Sequence, residues 1–143
     1  MTTATITRRL TLDAGHRVPG HLGKCRNLHG HTYVIEVEVI GVIPEDGMVL
    51  DFGVVKEIMV EQIGPWDHAF LCYRDDRMVL DALAVDPTWR RVLLPWPPTA
   101  ENLARFAADA LRAPLRAAGV TLSSVTVHET PNCRATWREA RAL

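Results

Sequence analysis

The sequence predicts an α+β fold, and three observations carry that prediction. Apolar and polar residues alternate with period two from Thr5 to Ala14 and again from His29 to Ile40. Two stretches in the middle of the chain, after Asp51 and after Thr99, space their apolar residues as helices do. Period-two alternation then returns beyond residue 120. The order read along the chain is strand, strand, helix, helix, strand, strand. At 143 residues the expectation is one domain, 1–143, with a core large enough to fold without staples.

Each element follows from its residues. From Thr5 to Ala14, Ile6, Leu10, Leu12 and Ala14 share one face, while Thr5, Thr7, Arg9, Thr11 and Asp13 share the other. This is a half-buried strand, and His16 continues its apolar parity. Pro19, Gly20 and Gly23 break the chain. His29 to Ile40 is the next strand, with His29, His31, Tyr33, Ile35, Val37 and Val39 on one face and Glu36 and Glu38 opposite. Pro44-Glu45-Asp46-Gly47 is a turn. Asp51 caps a helix from Phe52 to Ile63, whose Val54, Val55, Ile58 and Met59 have helical spacing and which Gly64-Pro65 stops. The stretch from Cys72 to Pro98 has no clear period. Met78 to Ala84 fits one or two helical turns, Arg91 to Leu94 fits a short strand, and Pro95-Trp96-Pro97-Pro98 is a rigid linker. Thr99 is an N-cap with Glu101 in the first turn, followed by a stripe of Leu103, Phe106, Ala107, Ala110 and Leu111. Pro114 is expected to end or kink that helix, and Gly119 to close it. Thr121 to Glu129 is a strand with Val125, Val127 and Glu129 on one face and His128 opposite, and Ala135 to Glu139 is the last strand.

Composition excludes several classes. A net charge of −1 argues against a general nucleic-acid or membrane binder. No apolar run is long enough to span a bilayer, and no basic segment followed by an apolar one opens the chain, so a cytoplasmic location is expected. Cys25, Cys72 and Cys133 lack C-x-x-C spacing and read as reduced thiols.

The chemistry concentrates in Cys25-Arg26-Asn27-Leu28-His29-Gly30-His31. On a strand, His29 and His31 point to the same face. The first strand ends at His16 and the second begins at His29, so antiparallel pairing brings all three histidines together on the core-facing parity. A His-x-His pair alone is more often packing than ligand; the third, converging histidine shifts the balance toward metal. Three histidines leave one tetrahedral position of zinc open, the catalytic rather than the structural arrangement. Cys25 lies beside this set, flanked by the basic residues Lys24 and Arg26, a setting in which a cysteine is a candidate reactive thiol. Glu129 faces the core, where an unpaired carboxylate is costly. His21 reads as a loop residue, His128 as a solvent-face residue, Cys72 and Cys133 as packing or bystander thiols, and the four tryptophans as core or subunit contacts.

Asp13-Ala14-Gly15-His16-Arg17, the Cys25 to His31 motif, Asp51-Phe52-Gly53, Asp67-His68, Pro98-Thr99-Ala100-Glu101-Asn102 and Glu129-Thr130-Pro131 occur in an order and spacing that resembles the 6-pyruvoyl-tetrahydropterin synthase superfamily. The three residues between Cys25 and His29 are similar to the bacterial 6-carboxytetrahydropterin synthase branch. The resemblance implies the tunnelling fold, an antiparallel four-stranded sheet with two helices on one face. It also implies a homo-hexamer with active sites at subunit interfaces. By the same resemblance His16, His29 and His31 are the zinc ligands, Cys25 the catalytic thiol, Asp67 and His68 a second acid-base pair, and Glu129 and Glu101 substrate-binding residues. The implied reaction turns 7,8-dihydroneopterin triphosphate into 6-carboxy-5,6,7,8-tetrahydropterin, acetaldehyde and triphosphate, toward 7-deazaguanine compounds such as queuosine. The rivals are pyruvoyl-tetrahydropterin synthesis on the same scaffold and a non-catalytic zinc or pterin binding module. Cys72 departs from the family pattern, as does the long Cys72 to Pro98 connection.

Overall fold

The computed structural model describes residues 1–139. β1 (Thr3–His16) and β2 (His29–Val42) pair antiparallel along their whole length, from Thr3 opposite Val42 to His16 opposite His29. The alternation read in the sequence is the reason: Leu12, Tyr33, Ile35, Val37 and Val39 are all buried on the same face. β5 (Thr121–Thr130) adds antiparallel to β2, and β6 (Cys133–Arg138) adds to β5. α1 (Phe52–Ile63) begins at Asp51, whose side chain accepts from the Gly53 N–H at 2.6 Å.

The expectation of a four-stranded antiparallel sheet with two helices is not met. β3 (Ala69–Tyr73) pairs parallel to the end of β1, and β4 (Arg91–Leu94) pairs parallel to β3, with α2 (Arg77–Leu83) between them. Among the described residues the result is a six-stranded mixed sheet, ordered β4-β3-β1-β2-β5-β6, and three α-helices. β3 went unread because it is five residues long and mostly buried, and a short apolar run carries no period to mark it as a strand.

α3 (Ala100–Ala117) starts at Thr99, whose hydroxyl accepts from the Asn102 N–H at 3.2 Å. It runs through Pro114, contrary to the expected break. Pro114 stands in the last helical turn, where losing one backbone donor leaves the preceding turns intact. Leu103, Ala107, Leu111 and Leu115 of α3 and Val55, Met59 and Ile63 of α1 bury in one core with the inward faces of β1, β2 and β5, α1 lying nearer β1 and α3 nearer β5 and β6. Each fully buried side chain of this kind contributes roughly 1.5–3 kcal/mol. The opposite sheet face is polar: Arg9 donates to Glu36 at 2.7 Å. His128 lies on that face as expected, but its Nε2 is buried, 3.9 Å from Glu36 and without a hydrogen bond, so it is not solvated.

Candidate metal centre and active site

The β1–β2 register places His16 opposite His29, and Ala14 opposite His31. Gly30, between the two β2 histidines, faces Gly15. A Cβ at Gly30 would stand 3.0 Å from the Ala14 carbonyl, so the glycine permits the strand approach that aligns the imidazoles. The three histidines each offer a ligand atom, all within 4.8 Å of one another. His16 is only 1% exposed.

Hydrogen bonds decide which nitrogens are free. Carbonyl oxygens can only accept, so His16 Nδ1–H donates to Pro98 at 2.8 Å and His29 Nδ1–H donates to Asn27 at 2.7 Å. That leaves both Nε2 lone pairs unprotonated in the neutral rings. His16 Nε2 is buried without a partner. Burial, then the neighbouring His29 and His31, push His16 down to about 4 against the raising effect of the Pro98 carbonyl. Burial also lowers His31. An orphaned, buried nitrogen on a neutral imidazole, aimed at two more imidazoles, fits a metal ion in both donor chemistry and charge.

Glu129 closes one side, its Oε1 3.9 Å from His16 Nε2. A cavity of about 240 Å³ beside His16 is lined by Cys25, Glu101 and Glu129, and also by His21, Cys133 and Arg134. Cys25 is half-buried in a single 3-10 turn, Lys24–Arg26, next to the histidine strands. His21, read from the sequence as a plain loop residue, and Cys133, read as a bystander, both line this cavity. β6 starts at Cys133, two residues before the expected Ala135, and the Pro131-Asn132 turn carries both Cys133 and Arg134 to the rim. Tyr33 was counted only as a core residue. Its ring stands edge-on to His31 and His16, with centroids 5.3 and 5.8 Å away, and its buried hydroxyl has no hydrogen-bond partner. Burial and the Glu129 charge hold that hydroxyl firmly protonated.

Asp67 and His68 form their own pair elsewhere. Asp67 Oδ1 accepts from the Asp13 N–H at 2.9 Å, and its Oδ2 lies 2.9 Å from His68 Nδ1. The Asp13 amide and then His68 hold the Asp67 carboxyl below the usual carboxylate range. His68 has φ of 56°, a left-handed backbone that a non-glycine residue rarely adopts. The chain absorbs this strain to present an exposed imidazole beside a carboxylate. Cys25 does not share its cavity with His68. His68 borders an open groove of about 820 Å³, lined also by His29, His31, Trp89 and Arg90.

Comparison with known proteins gives the family. The family model of 6-pyruvoyl tetrahydropterin synthase matches residues 5–140. A 6-carboxy-5,6,7,8-tetrahydropterin synthase of Rickettsia felis is 34% identical over 130 residues, 89% of this chain and 94% of that protein. A protein of the same name from Haemophilus influenzae is 33% identical over 94% of this chain and 98% of its own length. Among solved structures, an uncharacterized protein of Wolinella succinogenes superposes with a TM-score of 0.83 at 22% identity, covering 98% of this chain and 100% of that one. The 6-pyruvoyl tetrahydropterin synthase of Caenorhabditis elegans superposes with a TM-score of 0.71 at 25% identity, covering 98% of each chain. With the family model spanning nearly the whole sequence, and relatives a third identical over almost their full length, the chain belongs to the 6-pyruvoyl tetrahydropterin synthase family.

Proposed function

We propose that this chain, acting as one catalytic domain over residues 1–143, is a zinc-dependent carbon-carbon lyase. It converts 7,8-dihydroneopterin triphosphate to 6-carboxy-5,6,7,8-tetrahydropterin, acetaldehyde and triphosphate, in the cytoplasm, toward 7-deazaguanine compounds such as queuosine. The observation that carries the reading is the convergence of His16, His29 and His31, with Cys25 and Glu129 lining the cavity beside His16. The names of the relatives from Rickettsia felis and Haemophilus influenzae, and the three-residue gap between Cys25 and His29, support the carboxy product.

His16, His29 and His31 would hold the zinc, which when bound supplies Lewis-acid stabilisation of negative charge developing on the substrate tail. Glu129, on the cavity wall, accepts two hydrogen bonds from the amino and ring N–H groups of the pterin, and Glu101 on the rim contributes to binding. Cys25 takes a proton from the tail as its thiolate. His68, oriented through Nδ1 by Asp67, exchanges the second proton at its Nε2. The family resemblance puts the working sites at subunit interfaces; Cys25 and His68, which line different cavities of one chain, would then meet there, Cys25 from one copy and Asp67-His68 from its neighbour. A homo-hexamer provides that arrangement and covers the β4 and β6 edges of the sheet.

The test is product analysis from 7,8-dihydroneopterin triphosphate with zinc-loaded protein. Acetaldehyde, trapped as its hydrazone, is expected in a ratio near one to released triphosphate. Triphosphate with a pyruvoyl pterin and no acetaldehyde would instead make the chain a pyruvoyl synthase. Neither product would leave a binding module.

A further inference from the structure

The segment from Cys72 to Pro98, which meets His16 at the Pro98 carbonyl, also makes a close contact with the Cys25 loop. Arg17 directly follows His16. Its Nε donates to Asp76 Oδ2 and its Nη2 to Asp76 Oδ1, both at 2.7 Å, the paired fork that planar guanidinium and carboxylate groups form. Asp76 is 7% exposed and belongs to the turn between β3 and α2, where its N–H donates to the Tyr73 carbonyl at 3.0 Å and its carbonyl accepts from Leu80. It is therefore a fixed post. From Arg17 the connection continues to the thiol loop: Nη1 reaches the Arg26 carbonyl at 3.4 Å, and the next residue's N–H, on Val18, donates to the Cys25 carbonyl at 2.8 Å. The carbonyls of Cys25 and Arg26 are thus both held by residues 17 and 18.

Apolar packing does not do this work. Between α2 and the loop lies a cavity of about 310 Å³ lined by Arg26, Asn27, Leu28, Met78, Val79 and Leu83. Leu28 and Met78 are exposed. With empty space where side chains would otherwise press on the loop, polar contacts from Arg17 and Val18 set its position.

We propose that Asp76 is a positioning residue for Cys25: it locks Arg17, and through it the backbone of the turn that carries the thiol. This gives the long connection after β3 a part in the reaction, and it rests on the reading of Cys25 as the reactive thiol. Asp76 itself touches neither the 240 Å³ cavity nor the histidine cluster.

The test compares full-length, zinc-loaded protein with Asp76→Asn and Asp76→Glu. Misplacing a reacting group by about 1 Å can cost ~10²-fold. Asp76→Asn should therefore lower kcat by roughly 10–100-fold on that basis while KM and zinc content stay near wild type, because Glu129 and the histidines are untouched. Asp76→Glu keeps the carboxylate and should recover part of the loss. Hydrogen exchange is the second readout. The amides of Val18, Arg26 and Asn27 should exchange faster in Asp76→Asn, while those of β2 keep their protection. Wild-type kcat in Asp76→Asn, or unchanged exchange over residues 18–27, overturns the proposal. So does a loss of kcat in both variants that merely follows loss of fold or zinc. If wild-type protein fails to turn over the pterin triphosphate, the proposed function falls, and the exchange measurement still decides whether Asp76 holds the loop.

Discussion

Two histidine sites in this chain are built by opposite means. His16 is buried, hydrogen-bonded on one side to a backbone carbonyl, and pushed down to about 4. His68 has 74% of its side chain exposed, a left-handed backbone and a carboxylate 2.9 Å from Nδ1. A buried neutral imidazole with an orphaned nitrogen has a lone pair to give to a cation. An exposed imidazole with a carboxylate behind it exchanges protons readily. Under the proposed function, one residue type would serve as ligand at the buried position and as acid-base at the exposed one. The two sites also differ in completeness. The cluster of His16, His29 and His31 closes within the chain, whereas His68 faces a groove that does not contain Cys25.

The hardest way to break this contrast is to remove a ligand. His29→Ala should leave the strands intact, since His29 sits at the first residue of β2, but should bring zinc per chain from near one to near zero and abolish turnover. Metal analysis of purified protein checks it, and full occupancy in the variant would take His29 out of the ligand set. At the other site, His68→Ala should keep its zinc and lose turnover by about 10²–10⁴-fold, the usual worth of one positioned acid or base. Mixing this variant with Cys25→Ala after co-refolding sharpens the comparison. If sites are shared between copies, mixed assemblies contain some intact sites and activity returns; no recovery would mean that one chain supplies both groups. The smallest effect belongs to Tyr33. Tyr33→Phe removes a buried hydroxyl with no partner, so its thermal stability should be unchanged or higher by up to about 1 kcal/mol, since an unsatisfied buried group costs rather than contributes. A stability loss instead would show that the hydroxyl is paired in solution.

The legible parts of the molecule share one physical property. β1, β2, α1 and β5 each bury one face and leave the other polar, so their periods are written in consecutive residues. The first residue of β2 and both ends of α1 fall where the sequence places them, because His29 opens an alternation and Asp51 and Gly64-Pro65 bound a helical run. The helix does not end at Pro114, because the burial of Leu111 and Leu115 around it outweighs the loss of one backbone donor in the last turn. β3 was missed because its neighbours, β1 and β4, are far from it in sequence and its own residues have no exposed face to set a period.

The sequence by itself determined β1, β2 and β5, their parities and therefore the meeting of His16, His29 and His31, because antiparallel neighbours joined by one loop have few ways to pair. Tertiary structure alone decided the rest. The two parallel strands at the β1 edge, the unpaired Tyr33 hydroxyl, the separate cavities of Cys25 and His68, and the Arg17–Asp76 fork across 59 positions all depend on which distant surfaces meet. Periodicity reports that a face is buried; only packing selects what buries it.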